Sequence, residues 1–228
     1  MDKILFKKLP LKEGKRYVIG DIHGCYKSLQ ALLEKLAPNK EDELIFLGDY
    51  IDRGPNSSGV IDLLLELSEQ LNCHFLRGNH EQMLLDAYQK GGEHVEHQLR
   101  RLSGLDLIQS GKLKESHVHF MKQSLHYVIS GNFLMVHAGI AEHHWQEDEQ
   151  AMLWIRDFAV PVNFPYTVVH GHVPSSLKTI ERHVEQVDLK KIPLDGGCVY
   201  KNSLAELGYL CALELNERRL FSVPCSDF

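Results

Sequence analysis

The sequence has no apolar run of membrane-spanning length, no CxxC pair, no low-complexity linker and no excess of basic charge. Each absence removes a class of protein. A membrane-spanning helix needs about 20 consecutive apolar residues, so no membrane partner is expected. Lys and Arg total 25 against 31 Asp and Glu, a formal net charge of −6. That balance argues against a nucleic-acid polymer as ligand and against a basic membrane-docking face. The five cysteines are odd in number and scattered, which fits reduced thiols better than a disulfide framework. The opening "MDKILFKKLPLKEGKR" holds no uninterrupted apolar segment, so a cytoplasmic location is expected. Histidine is the one unusual abundance, at 14 residues, and the positions of those histidines carry the argument.

A chain of 228 residues can bury a full core, as one large domain or two small ones. Short β-branched or aromatic runs alternate with longer helical patterns. Tyr17–Ile19, Leu44–Gly48 and His74–Gly78 read as strands. Each precedes a helical pattern: Ser28–Ala37 with Ser28 as N-cap, Ser57–Gln70, and a helix from His80 through "EQMLLDAYQK". Three such units in a row predict an α/β sheet with helices packed on it. Residues 91–124 read as a polar helical insertion with a loop at Ser103–Gly104. Strands return at Phe133–Gly139 and Tyr166–Val173, and the tail alternates like strands in "HVEQVDL", "LGYLCALEL" and "RRLFSV". The simplest organisation is one domain over 1–228 carrying the 91–124 insertion as a cap.

The first three strands end alike. "GDIHG" (20–24), "GDYIDRG" (48–54) and "GNHE" (78–81) all begin with glycine where an apolar run stops, and 23 residues separate them in each case. Equal spacing means equivalent units, so the motifs should lie side by side beyond the carboxyl ends of the strands, where α/β sheets bind ligands. Two later strands end in "HAG" (137–139) and "HGH" (170–172). Five strand ends thus deliver Asp21, His23, Asp49, Asn79, His137 and His172 to one place. Oxygen and imidazole donors without thiolate suit manganese, iron or zinc. Six candidates are too many for one ion and about right for two sharing a carboxylate, the arrangement that clamps a phosphoryl group for in-line attack. The chemistry implied is phosphoester hydrolysis.

The series GDIHG, GDYIDRG, GNHE, HAG and GHV resembles the phosphoprotein phosphatase branch of the calcineurin-like metallophosphoesterases, in its bacterial and phage-type serine/threonine phosphatases, over Tyr17 to Ala205. The resemblance implies two mixed β-sheets packed face to face and flanked by helices. It also implies two divalent ions, manganese ahead of iron or zinc, and a bridging hydroxide that attacks phosphorus. By resemblance Asp21 and His23 hold the first ion, Asp49 bridges both, and Asn79, His137 and His172 complete the second. His80 matches the proton donor to the leaving oxygen and Asp52 the carboxylate that orients it, as general-acid chemistry requires. Arg53 and Arg156 match the arginines that grip the phosphoryl group. Arg77 reads as structural.

Other residues carry paired readings. Arg156 could instead form a surface ion pair with Asp157 or a nearby glutamate. His170 reads as a packed strand residue, Cys25 as a small buried packer or a redox-sensitive thiol, and Tyr200 as reaching the pocket or filling the sheet. His94, His97, Arg100 and Arg101 fall at helical spacing, as a solvated face or a clamp over the site. The chain departs from its bacterial relatives in "RLSGLDLIQSGKL", in GHV for GHT and in LDGG for IDTG, changes that bear on substrate. Glu81 and the Asp52–Arg53 pair point to a phosphoprotein or phosphopeptide substrate, with serine/threonine or dual specificity. The alternative is a dinucleoside polyphosphate such as diadenosine tetraphosphate. A catalytically silent phosphate-binding scaffold would have lost a ligand or His80, and neither is lost. The sequence sets no oligomeric state.

Overall fold

The computed structural model describes residues 3–110, 112–201 and 206–228. Gly111 in the insertion and Ala205 at the end of the motif-bearing region lie outside them. One sheet runs in the order β12 (Arg219–Pro224), β11 (Tyr209–Glu214), β2 (Arg16–Ile19), β3 (Glu43–Phe46), β4 (Asn72–Phe75). Its β2, β3 and β4 are parallel, and β11 is antiparallel to both of its neighbours. The other runs β1 (Phe6–Leu9), β7 (Tyr127–Ser130), β8 (Phe133–Val136), β9 (Thr167–His170), β10 (Lys191–Pro193), with only the β7–β8 pair antiparallel.

Two-residue alternation explains why these sheets face each other. Val18 and Ile45 point inward and meet Val128, Met135, Val169 and Ile192 of the opposite sheet in one buried cluster. Their neighbours Tyr17, Ile19, Leu44 and Phe46 point outward. There they pack under α1 (Tyr26–Leu36) and α2 (Ser57–Gln70), through Leu29, Leu32, Val60, Ile61 and Leu64. On the second sheet Tyr127, Ile129, Leu134, Val136 and Val168 turn outward against Met152 and Phe164. The central strands β2, β3 and β8 are therefore buried along their whole length, as strands between two covered faces must be.

Helix α2 has the bounds its periodicity predicts, and the Asn56 side chain accepts from the Gly59 N–H at 2.9 Å. Helix α1 starts earlier than predicted. Ser28 is not its N-cap: the Asp227 carboxylate accepts from the Lys27 and Ser28 amides at 2.8 and 3.0 Å, and the Ser28 hydroxyl bonds Asp227 and Ser226. The cap comes from 199 residues away, so no local pattern reveals it. The third strand ends at Phe75 rather than running to Gly78, and Leu76 makes one parallel bridge to Leu125. "HVEQVDL" is not a strand. Ser176 caps α6 (Leu177–Glu185), accepting from the Thr179 amide at 3.3 Å, and Ile180 and Val184 are buried on its inner side, four residues apart.

Helix α3 (Asn79–Lys90) leads into the insertion, which contains more than helices. After α4 (His94–Leu102), Ile108–Gln109 (β5) pairs antiparallel with Lys112–Leu113 (β6), and α5 (Glu115–Gln123) follows. The turn between the two short strands includes Ser110 at φ 52°. The insertion is fastened to α2: Asp106 accepts from the Ser58 amide at 2.7 Å, and buried His117 meets Asp62 at 2.9 Å.

Candidate metal centre

The loops after β2, β3 and β4 lie side by side because those strands are parallel neighbours, and the ends of β8 and β9 approach from the opposite sheet. Asp49 is at the middle. Its Oδ2 is 3.4 Å from His23 Nε2, and its Oδ1 is 3.5 Å from His137 Nε2. Asn79 Oδ1 lies 3.0 Å from both His137 Nε2 and His172 Nδ1. Asp21 Oδ2 accepts from the His172 amide at 2.9 Å. All six residues are buried.

The backbone aims the rings. His23 Nδ1 meets the Ile51 carbonyl at 2.9 Å and His137 Nδ1 the Leu47 carbonyl at 3.0 Å. A carbonyl at Nδ1 makes that nitrogen the donor and leaves the Nε2 lone pair facing Asp49. Burial holds the rings neutral: His23 is lowered to about 3 and His172 to about 4. Neutral imidazole is the ligating form. Burial would raise the Asp49 carboxyl, but His137, His80 and His23 outweigh it and hold it well below the ordinary range.

Strain gathers at the same place. Among the described residues eleven non-glycine positions have positive φ, and five of them are His23, Asp49, Asp52, Arg53 and His172. Such conformations cost on the order of 1 kcal/mol each and persist where surrounding structure fixes them for function. Two glycines allow the close approach of the loops: a Cβ on Gly171 would lie 1.9 Å from Asp21 Oδ1, and one on Gly78 would lie 2.1 Å from Asp49 Oδ1.

The donor set fits divalent metal. Asp21 Oδ1 is buried without a hydrogen-bond partner, a costly state for a carboxylate oxygen unless something else satisfies it. Two overlapping groups that share Asp49 bring donor atoms within 4.8 Å of one another: His23, Asp49 and His80, and Asp49, His137 and His172. Hard oxygen and borderline imidazole donors suit manganese, iron or zinc.

His80, Asp52 and Arg53 stand beside this cluster. His80 Nδ1 meets Asp52 Oδ2 at 2.6 Å. Burial disfavours the imidazolium, yet Asp49 and the Asp52 hydrogen bond outweigh it, and the His80 pKa is raised. The Arg53 guanidinium reaches His23 Nε2 at 2.9 Å and His80 Nε2 at 3.0 Å, and it lies 5.5 Å from the centre of the Tyr200 ring. Tyr200 thus reaches the mouth of the site. Arg156 is exposed, near enough to His172 to help depress it. Asp157 does not pair with Arg156 in a salt bridge; it faces Lys191 at 3.7 Å.

Arg77 donates to Ser124, Gln82 and the Lys122 carbonyl, a brace between α3 and α5. His170 packs its ring on Phe158 at 5.1 Å, on the outer face of the sheet. Cys25 is fully buried. On α4, His94, His97, Arg100 and Arg101 are exposed, and Arg100 pairs with Glu96 in solvent, so this is a solvated face. The other face of the insertion is what nears the site: a Cβ on Gly104 would lie 2.8 Å from Asp52 Oδ1.

Glu81 does not face a substrate. It is fully buried, and its two oxygens accept from the amides of Asp49, Tyr50, Ile51 and Gly78 at 2.9, 2.9, 3.3 and 2.9 Å. It clamps the second motif to the third. Its identity therefore carries no information on the leaving group, and the argument from Glu81 toward phosphoprotein substrates fails on that ground. Sequence reasoning missed this clamp, and the signal was only its place three residues after Gly78, where a glutamate returns to the helix start.

A buried Asp–His–Asn cluster with an adjacent imidazole–carboxylate pair and an arginine defines a metal-dependent phosphoester hydrolase. The chain belongs to the calcineurin-like phosphoesterase family, whose model matches residues 14–200. It is similar to the asymmetrical bis(5'-nucleosyl)-tetraphosphatase PrpE of Oceanobacillus iheyensis, at 26% identity over 82% of this chain and 85% of that protein. Its fold matches the crystal structure of a putative diadenosine tetraphosphatase with TM-score 0.69, at 23% identity over 99% of this chain and 100% of the other. It also matches a cold-active protein-tyrosine phosphatase of a psychrophilic Shewanella with TM-score 0.61, at 18% identity over 95% and 81%. No described helix is long and apolar enough to cross a membrane.

Proposed function

We propose that the protein hydrolyses dinucleoside polyphosphates, diadenosine tetraphosphate among them, by asymmetric cleavage into nucleoside mono- and triphosphate. The observation that carries this reading is the similarity to an asymmetrical tetraphosphatase along most of both chains. It replaces the phosphoprotein reading as the first choice, because Glu81, one support of that reading, is a backbone clamp. In this reading the chain acts as one metallophosphoesterase domain, with the 91–124 insertion as a wall behind Asp52 rather than an arginine clamp.

Asp21, His23, Asp49, Asn79, His137 and His172 would hold two divalent ions, manganese first. Bound there, such ions supply a water of lowered pKa and neutralise phosphoryl charge. The chain's own residues do the rest. Arg53, at the mouth, presents a guanidinium to phosphoryl oxygens, which it binds with paired N–H groups. Arg156 adds positive charge from the His172 side. His80, held by Asp52, is raised toward its protonated form, and once Arg53 turns from His80 Nε2 to the phosphoryl group, that nitrogen would carry the proton to the departing oxygen. A polyphosphate leaves with less proton help than a seryl alkoxide.

The second reading is a phosphoserine or phosphothreonine monoesterase, and the 2.6 Å Asp52–His80 pair favours it, since a poor leaving group needs such an acid. Initial rates on diadenosine tetraphosphate and a phosphoserine peptide at equal concentration, with nucleotide products identified, separate the two. The proposal expects the dinucleotide to be preferred and AMP and ATP to form. A preference for the peptide would overturn it.

A further inference from the structure

Three of the five cysteines meet. Cys25 follows the first motif and precedes α1, Cys198 opens a short 3-10 turn (Cys198–Tyr200), and Cys225 follows β12. Their sulfurs all lie within 4.8 Å of one another, and the residues are 0%, 2% and 2% exposed. The two remaining cysteines, Cys73 and Cys211, have no place in this group.

The backbone fixes the meeting. The Cys225 amide donates to the Gly208 carbonyl at 2.8 Å, and its carbonyl accepts from Lys201 Nζ at 2.6 Å. The next two residues are tied to the start of α1: the Ser226 amide donates to Ser28 Oγ, and Asp227 caps the Lys27 and Ser28 amides. Ser28 adjoins the thiols of Cys198 and Cys225, and its hydroxyl is bonded to Asp227 and Ser226. Three thiols with an oxygen beside them form a cage, whereas buried cysteines that merely fill space need not converge.

We propose that Cys25, Cys198 and Cys225 form a second metal site, for one thiophilic cation of the zinc and cadmium class, with Ser28 Oγ or water as fourth donor. The geometry is near what such an ion needs. A zinc–sulfur bond of about 2.3 Å places tetrahedral sulfurs roughly 3.8 Å apart, so a small contraction suffices. The soft donors set this site apart from the Asp49 cluster, which holds no sulfur, so the two select different metals. A disulfide would use only two of the three sulfurs. Occupancy links the residue after the first motif, the turn bearing Tyr200 and the end of β12, and of these the Tyr200 turn reaches Arg53 beside the catalytic cluster. Because only the folded chain assembles the site, the ion stabilises the fold by mass action.

The test uses the full chain, reduced and preloaded with manganese, titrated with cadmium. Sulfur-to-cadmium charge transfer absorbs in the ultraviolet, and nitrogen and oxygen donors give no such band. The expected result is a band that saturates at one equivalent and a rise in melting temperature. Cys198→Ser and Cys225→Ser should each lose most of both, while Cys73→Ser and Cys211→Ser keep them. Cadmium NMR of the wild-type protein gives a reading that needs no variant, with a resonance in the region of several thiolate ligands expected. No band, a band unchanged in Cys198→Ser and Cys225→Ser, or a resonance in the nitrogen–oxygen region only would each overturn the proposal.

Discussion

Glu81→Gln tests whether the clamp works as its geometry says. Glutamine keeps the shape and one accepting oxygen but puts an NH2 group where the second oxygen accepted backbone amides. Glu81 Oε2 takes the Asp49 and Gly78 amides, and Oε1 takes those of Tyr50 and Ile51. Whichever way the amide is turned, two buried N–H groups lose their acceptor and face another donor. Leaving a buried amide unsatisfied costs about 1–3 kcal/mol, so the pair costs about 2–6 kcal/mol. Domains of this kind are stable by about 5–15 kcal/mol, so the variant folds with a large fraction of its stability gone. Urea unfolding at fixed metal concentration reads this as a lower midpoint at unchanged slope. Because the clamp fixes Asp49, kcat/KM should fall for every substrate by a similar factor. A loss under about 0.5 kcal/mol, below the usual cost of an unmade buried hydrogen bond, would refute the clamp. So would a change in the ratio of dinucleotide to phosphopeptide activity, because a residue that only shapes backbone cannot shift that ratio.

Three other outcomes follow from the same contacts. His80→Asn should reduce turnover by about 100-fold or more on a phosphoserine peptide and far less on nitrophenyl phosphate, whose leaving group needs little protonation; equal losses in steady-state assays would remove the general-acid role. His74 is buried on β4 near Lys7 and Glu43, and burial first, then Lys7, lowers its pKa to about 4 from 6.5. The unfolded chain protonates this group below about pH 6.5 while the folded one waits until about 4, so stability falls as pH drops through that window, by up to about 3 kcal/mol; urea midpoints against pH should be flatter in His74→Gln, and parallel curves would contradict the assignment. Asp227→Ala removes the cap of α1 and should cost about 1 kcal/mol, measured as a lower melting temperature with activity retained; an unchanged midpoint would mean the cap does not hold in solution.

The motif-bearing loops were legible because their signal is local. A glycine ends each apolar run, and equal spacing made the three parallel strands equivalent before any pairing was known. The candidate ligands meet for that reason, with Asp49 central. What was not legible depends on partners far along the chain. Strand β1, "FKKL", pairs with β7 some 121 residues on, through Phe6 and Tyr127, and it is too short and charged to read as a strand alone. The short β10, "KIP", exists because β9 lies beside it. Ser28 looks like a cap and is not one, since Asp227 takes that role. "HVEQVDL" alternates by chance at the end of a helix whose buried residues are spaced by four. The use of Glu81 as a guide to substrate failed for a related reason. Glu81 sits inside a catalytic motif, yet it turns away from the pocket, and sequence adjacency to His80 does not say which way a side chain points.

On the proposed function, the Asp49-centred cluster holds the metals and the substrate is a dinucleoside polyphosphate. The most direct measurement strips the wild-type protein and Asp49→Asn of metal, dialyses both against manganese, and follows metal content and products from diadenosine tetraphosphate. The wild type should bind two ions at the cluster and release AMP and ATP, while Asp49→Asn should lose manganese and activity together. Full activity in Asp49→Asn, or a metal-loaded wild type that leaves the dinucleotide intact, would contradict it.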